Sequence, residues 1–142
     1  MNKLKTLLSL AIVAAVVLCS SALAAPSGNY KGKIQYQGYE VTFKVSKNGK
    51  RVTDLVARML VDCDGDGYTE SFLIAPNGSW PIKNGKVSGK RTDRFDQSKA
   101  TVELKGRFTG GTFKGFVREV DFVEGSGIVC DTLERKFTAK RG

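Results

Sequence analysis

The chain has 142 residues, and its 23 Lys and Arg residues outnumber its 14 Asp and Glu residues, which gives a formal net charge of +9. It contains no histidine, which excludes Ser–His and Cys–His nucleophiles, histidine-based zinc sites and imidazole acid–base chemistry. The length predicts one domain, and the basic surplus favours acidic partners.

The first 24 residues have the three parts of a secretory signal peptide: two lysines, an apolar run over 7–18, and small residues ending at Ala24. The apolar run is shorter than the roughly 20 residues that span a membrane. We therefore predict cleavage near Ala24, a single β domain over 25–142, and a secreted or periplasmic location. Removing the signal takes away two basic residues and no acidic ones, so the net charge becomes +7. A lipoprotein attached through Cys19 and an uncleaved anchor are the alternatives.

Alternating apolar residues predict strands in the first half of the mature chain. The alternation is loose over 30–36 and regular over 39–45, where Tyr, Val, Phe and Val alternate with polar residues. Asn48-Gly49 then favours a type I′ hairpin turn. Residues 51–63 fit either a strand or a helix by periodicity, and the turn favours a strand that points Cys63 inward.

Shorter strands separated by turns are predicted in the second half. The predicted strands are 71–75, 80–83, 86–90, 101–109, 112–122 and 128–139, and the intervening turns or loops are 76–79, 84–85, 91–98, 110–111 and 124–127. Gly115 is expected to mark a bulge or bend, and a second bulge is expected near Asp131. The pattern predicts an all-β antiparallel meander of about eight strands, closed or partly open as a small barrel, with a β-sandwich as the alternative.

Two cysteines remain after the predicted cleavage, Cys63 and Cys130. An even number in an exported protein predicts a disulfide, and two free thiols are the alternative. Such a long closed loop is worth roughly 4 kcal/mol at most in the chain-entropy account.

Several short patterns resemble a group of small exported bacterial β-domains of unknown function. They are Gly28-x-Tyr30-x-Gly32, Val41-x-Phe43-x-Val45-Ser46 with Gly49, the mid-chain cysteine, Ile82-Lys-Asn-Gly-Lys86, and Cys130 followed by Phe137-Thr-Ala139. The resemblance implies a β-meander with one disulfide and carries over no active residues.

An acidic loop offers a possible calcium site. Asp62, Asp64 and Asp66 alternate before Gly67, as in the first half of a calcium-binding loop, and Glu70 follows at the ninth position. The twelfth position is leucine rather than a bidentate glutamate, and no helices flank the loop. Weak extracellular calcium binding and a solvated acidic turn therefore both remain open.

Basic residues near aromatic ones are candidates for ligand binding, namely Trp80, Tyr36, Tyr39, Lys83 and Lys86. The basic residues group in sequence around 44–51, 83–99 and 136–141. They predict an acidic or sugar polymer of the envelope, or an extracellular protein, as the partner, without specific nucleic-acid recognition. The alternatives are a basic surface with buried aromatics, a small ligand inside a barrel, and inhibition of a secreted enzyme.

Only carboxylates are available as catalytic pairs. Glu103, Glu119 and Asp121 lie in predicted strands, and their alternation with apolar neighbours places them on the solvent face. We therefore predict a non-enzymatic protein without a required cofactor.

Overall fold

The computed structural model describes residues 24–142, in which all regular structure is β-strand. The strands are β1 (Gly28–Ile34), β2 (Glu40–Val45), β3 (Arg51–Cys63), β4 (Tyr68–Lys83), β5 (Lys86–Phe95), β6 (Ser98–Thr109), β7 (Thr112–Val123), β8 (Val129–Asp131) and β9 (Arg135–Arg141). Apart from Ala24, the predicted signal peptide lies outside the described residues. No helix in the described part of the chain is long and apolar enough to cross a membrane.

The strands form one antiparallel sheet that closes into a ring of hydrogen bonds. Each strand from β1 to β7 pairs with the next one in sequence, and β9 pairs with both β7 and β1. The three-residue strand β8 pairs with β3 and β7 beyond the point where β2 and β9 leave them. The predicted all-β antiparallel meander of about eight strands is confirmed.

The ring is weakly joined between β4 and β5. These strands pair only at Ile82 with Val87 and at Lys83 with Lys86, next to their connecting turn. The remainder of β4 pairs with β3, and β5 pairs along its whole length with β6. Beyond the turn, β4 and β5 therefore each keep an edge that no described strand covers.

The core fills the interior of the ring with apolar side chains from alternate strand positions. Phe43 stacks on Tyr30 with ring centroids 5.0 Å apart and meets Phe113 edge-on at 5.4 Å. Phe108 and Phe137 complete this aromatic cluster. Because side chains occupy this end of the ring, the alternative of a small ligand inside gains no support there.

The alternation of β2 and β3 is confirmed, but the turn between them differs from the prediction. Only Gly49 has a positive φ in that turn, whereas a type I′ turn needs two such residues. Asn84 and Gly85, with φ of 50° and 69°, provide the two adjacent positive angles at the β4–β5 turn instead.

Three strand boundaries also differ from the prediction. Strand β4 continues through the predicted turn at 76–79 and shifts its register against β3 there, and β5 includes most of the predicted charged loop. The predicted last strand is two strands, because Leu133 takes a φ of 58° between β8 and β9. This break replaces the bulge expected near Asp131. The bulge expected at Gly115 is absent, since β6 and β7 pair in continuous register through that residue.

Cys63 and Cys130 lie directly opposite each other on β3 and β8 and form a disulfide with an S–S distance of 2.04 Å. The predicted pairing is confirmed. The bond attaches the shortest strand of the sheet to one of the longest.

Candidate functional site

The acidic loop uses its carboxylates to hold the chain rather than to surround one point. Asp62 Oδ1 accepts a hydrogen bond from the Gly67 backbone at 3.2 Å, and Asp64 Oδ1 accepts one from the Val129 backbone at 3.0 Å. Glu70 accepts hydrogen bonds from Tyr39 and Arg58.

Because Asp62, Asp64 and Glu70 already accept hydrogen bonds within the protein, the acidic loop is a poor fit to a calcium ion. Asp66 is exposed, and the described residues contain no group of three or more His, Cys, Asp or Glu arranged to hold a metal. We derive no function from calcium, and a calcium site at Asp62, Asp64, Asp66 and Glu70 stays a prediction.

Two of the three aromatic candidates, Trp80 and Tyr39, are already engaged in contacts within the protein. Trp80 is fully buried, so its ring belongs to the core. The Tyr39 hydroxyl donates to Glu70 at 2.7 Å, and the Arg58 guanidinium lies 5.1 Å from the centre of the Tyr39 ring. Neither residue is part of the surface described next.

Basic side chains from five neighbouring strands form one exposed surface, which we call the basic face and define as Lys33, Lys86, Lys105, Arg107, Lys114 and Lys136. The register builds its first row. Lys86 on β5 lies opposite Arg107 on β6, which lies opposite Lys114 on β7. The row continues through Thr138 on β9 to Lys33 on β1. Directly opposite side chains in an antiparallel sheet start roughly 5 Å apart, so Lys86, Arg107 and Lys114 are closely spaced, and Thr138 separates Lys114 from Lys33.

A second row runs beside the first. Lys105 on β6, Phe116 on β7 and Lys136 on β9 lie opposite one another in turn. Within residues 24–142, no member of the basic face forms an ion pair. Glu40, which lies opposite Lys33, pairs at 2.6 Å with Lys31 instead. The basic face therefore keeps its charge available to an external anion.

A groove of about 520 Å³ crosses the β1–β9–β7 part of the basic face. Lys33, Lys114 and Lys136 line it together with Tyr36, and none of the described residues that line it is acidic. The structure thus places Tyr36 beside Lys33, which is near it in sequence, and beside Lys114 and Lys136, which are distant from it in sequence. Lys83 and Lys86, the predicted basic candidates, lie opposite each other near the β4–β5 turn.

The carboxylates of Glu119 and Asp121 on β7 point into the ring, whereas the sequence predicted that they face solvent. Glu119 shares the phase of the buried residues Phe113 and Val117 and is 8% exposed, so its placement on the solvent face was wrong. Asp121 follows on the same inward side, and one oxygen of each of these two carboxylates is buried without a hydrogen-bond partner. Glu103 lies on the outer face, where it pairs with Lys90 at 3.3 Å.

The surroundings of Glu119 and Asp121 favour the protonated form of each carboxyl group. Burial, and then the neighbouring Asp121 carboxylate, raise the pKa of Glu119 from 4.5 to about 7, although a hydrogen bond from Ser71 acts in the opposite direction. Burial also raises the pKa of Asp121. Arg91 shares the inward phase through its register with Val102 and Glu119, but its side chain is exposed.

Sequence reasoning missed most of the basic face because it grouped basic residues that are near in sequence. Lys105 and Arg107 alternate with the buried Leu104 and Phe108, and that outward phase was the available signal. The pairing of β6 with β7 and of β7 with β9, which sequence does not reveal, is what assembles the rows.

Comparisons with protein-family models, with curated proteins and with solved structures gave no match.

Proposed function

We propose that this protein is a non-enzymatic, extracytoplasmic β domain that binds an acidic polymer of the cell envelope through its basic face. The observation that carries the proposal is the register of β5, β6, β7, β9 and β1, which places six exposed and unpaired cations in two adjacent rows. Positive charge that continues along the outside of several neighbouring strands suits a repeating anion better than one small ligand.

The electrostatics of the whole chain support this proposal. The net charge of +7 without the signal segment attracts polyanions at long range, and the paired acids elsewhere on the surface leave the basic face without local neutralisation. The disulfide suits an oxidising compartment outside the cytoplasm. An anionic envelope polymer is the ligand that satisfies both the charge and the compartment.

The proposal is tested by co-sedimentation of the mature protein with isolated bacterial envelope material over a range of salt concentrations. The double variant Lys114→Gln/Lys136→Gln removes two charges from the basic face. A lysine near an anionic surface contributes roughly 1 kcal/mol, so we expect about a thirtyfold loss of affinity at low salt.

The double variant Lys47→Gln/Lys99→Gln is the matched control, because it removes the same net charge at positions outside the basic face. It should lose much less affinity than the face variant. Equal losses in the two variants would show that net charge alone causes retention, and wild-type protein that is not retained in a salt-sensitive way would remove the proposed function.

A further inference from the structure

Tyr36 is held in an unusual position at the edge of the groove. It lies in the turn between β1 and β2 with a φ of 65°, and its side chain is 98% exposed. A bulky residue in the left-handed region is disfavoured, and glycine is the usual residue at such an angle. Neither burial nor the backbone conformation accounts for a tyrosine here, so its exposed ring is the feature that needs a partner.

The groove supplies cations around that ring. Lys33 precedes the turn on β1, and Lys114 and Lys136 approach from β7 and β9, while Thr138 adds a hydroxyl. An aromatic ring has two apolar faces and, in tyrosine, a hydroxyl that can hydrogen-bond. A ligand that fits must therefore offer a flat apolar face together with anionic groups close to it.

A sugar ring that carries a carboxylate has these properties, because its C–H groups form an apolar face and its acid group lies at the rim. Proteins that bind single-stranded nucleic acid instead stack successive bases on several aromatic side chains. Tyr36 is the only aromatic residue more than half exposed among those described as lining this groove, which favours one stacked ring on an otherwise ionic polymer.

We infer that the polymer bound at the basic face is an acidic polysaccharide. One uronate-type ring stacks on Tyr36, and the carboxylates of this ring and of neighbouring residues of the polymer lie against Lys33, Lys114 and Lys136. This inference rests on the proposed function, and it adds the chemical class of the ligand and the residue that distinguishes it from other polyanions.

The test compares two labelled polyanions of matched charge, polygalacturonate, which has sugar rings, and inorganic polyphosphate, which has none. Binding is measured by fluorescence anisotropy for wild type and for Tyr36→Gly, a substitution compatible with the positive φ. We expect Tyr36→Gly to weaken polygalacturonate binding by between about twofold and tenfold, the range of an aromatic contact, and to leave polyphosphate binding unchanged. Thermal unfolding of the variant confirms that it is folded.

The remaining outcomes separate this inference from the proposed function. If Tyr36→Gly weakens the binding of both polymers equally, or of neither, the stacking role is overturned while the basic face stays intact. Tighter binding of polyuridylate than of polygalacturonate, lost in Tyr36→Gly, would overturn the polysaccharide in favour of a nucleic acid. Lys114→Gln/Lys136→Gln with undiminished affinity for every polymer would instead remove the basic face itself, and the inference with it.

Discussion

Glu119 couples the stability of the ring to pH. Its carboxylate is buried beside Asp121, and its backbone amide donates to the Thr132 hydroxyl at 2.8 Å while its carbonyl accepts from the Thr132 amide at 3.0 Å. The residue therefore combines a structural role between β7 and the β8–β9 connection with a side chain that favours protonation, since its pKa is raised to about 7.

We predict that the wild-type protein loses stability between about pH 4.5 and pH 7. Between these values the acid is protonated when folded and ionised when unfolded, so unfolding releases a proton and the free energy of unfolding falls as pH rises. The pKa difference for Glu119 corresponds to on the order of 3 kcal/mol, and Asp121 acts in the same direction. Urea unfolding at pH 4.5 and pH 7.5 measures the loss.

Glu119→Gln keeps the size of the side chain but cannot ionise, so most of that loss should disappear in this variant. Glu103→Gln makes the same chemical change on the outer face and should retain the pH dependence of wild type. An unchanged pH dependence in Glu119→Gln would contradict the prediction.

Below the pH range in which Glu119 titrates, the pH dependence of the free energy of unfolding reverses, and stability falls as the pH falls. The hydrogen bond from Arg118 lowers the pKa of Asp131, so the stabilisation that Asp131 provides is lost as pH falls below its ordinary pKa of 3.8. Stability should therefore be greatest near pH 4 to 5.

At the scale of the strands, period-2 alternation predicted those that have one buried and one exposed face. β2 follows it throughout, and β3 follows it from Leu55 to Val61, after an irregularity at Thr53 and Asp54. It failed for the second half of β5, where the predicted charged loop 91–98 begins. That segment forms a strand whose free edge faces the β4–β5 seam, and charged residues are common on such edges.

The interior carboxylates were misplaced for a related reason. Phe122 on β7 is 41% exposed while Glu119 is 8% exposed, so the last part of β7 reverses the usual correspondence between polarity and burial. Sequence alone assigned the polar phase to solvent. Only the register with β6 and β8 shows which face is inside.

Strands β6 and β7 require glycine at one of their paired positions. Gly106 and Gly115 lie directly opposite each other, and a Cβ at Gly115 would lie 2.7 Å from the Gly106 Cα and 2.9 Å from the Phe113 ring. We expect Gly115→Ala to lower the free energy of unfolding by about 1–3 kcal/mol, the usual effect of overpacking. Urea unfolding midpoints measure it.

Gly111→Ala is the control for that substitution, because a Cβ there would meet only the Arg141 side chain at 3.5 Å. Its effect should stay within about 0.5 kcal/mol. A comparable loss in both variants would show that the close approach of β6 and β7 is not the cause.

At the scale of the whole molecule, the disulfide constrains the unfolded chain over 67 residues. Removing it with Cys63→Ala/Cys130→Ala should cost roughly 4 kcal/mol at most, which lowers the Tm by on the order of 10–20 °C for a domain of this size. Reductant should lower the Tm of wild type towards that of the variant and leave the variant unchanged. A wild-type Tm that does not respond to complete reduction would contradict this prediction.

The class of fold and the disulfide could be predicted from local patterns, because alternation and cysteine number are properties of the chain itself. The basic face could not, since Lys33, Lys114 and Lys136 become neighbours only when β9 inserts between β7 and β1. Ring closure joins segments that are distant in sequence, and the alternation of residues within each strand does not reveal which strands will pair.

The weak β4–β5 seam also determines where the molecule can fluctuate. An opening there breaks only the pairing next to Asn84-Gly85, whereas β6 and β7 are paired along their full lengths. Amide hydrogens along the free edges of β4 and β5 should therefore exchange with solvent well before those of β6 and β7. The strands that carry the basic face, β5, β6, β7, β9 and β1, are contiguous on one side of this seam. Local opening of the seam would therefore leave the distances between these cations unchanged.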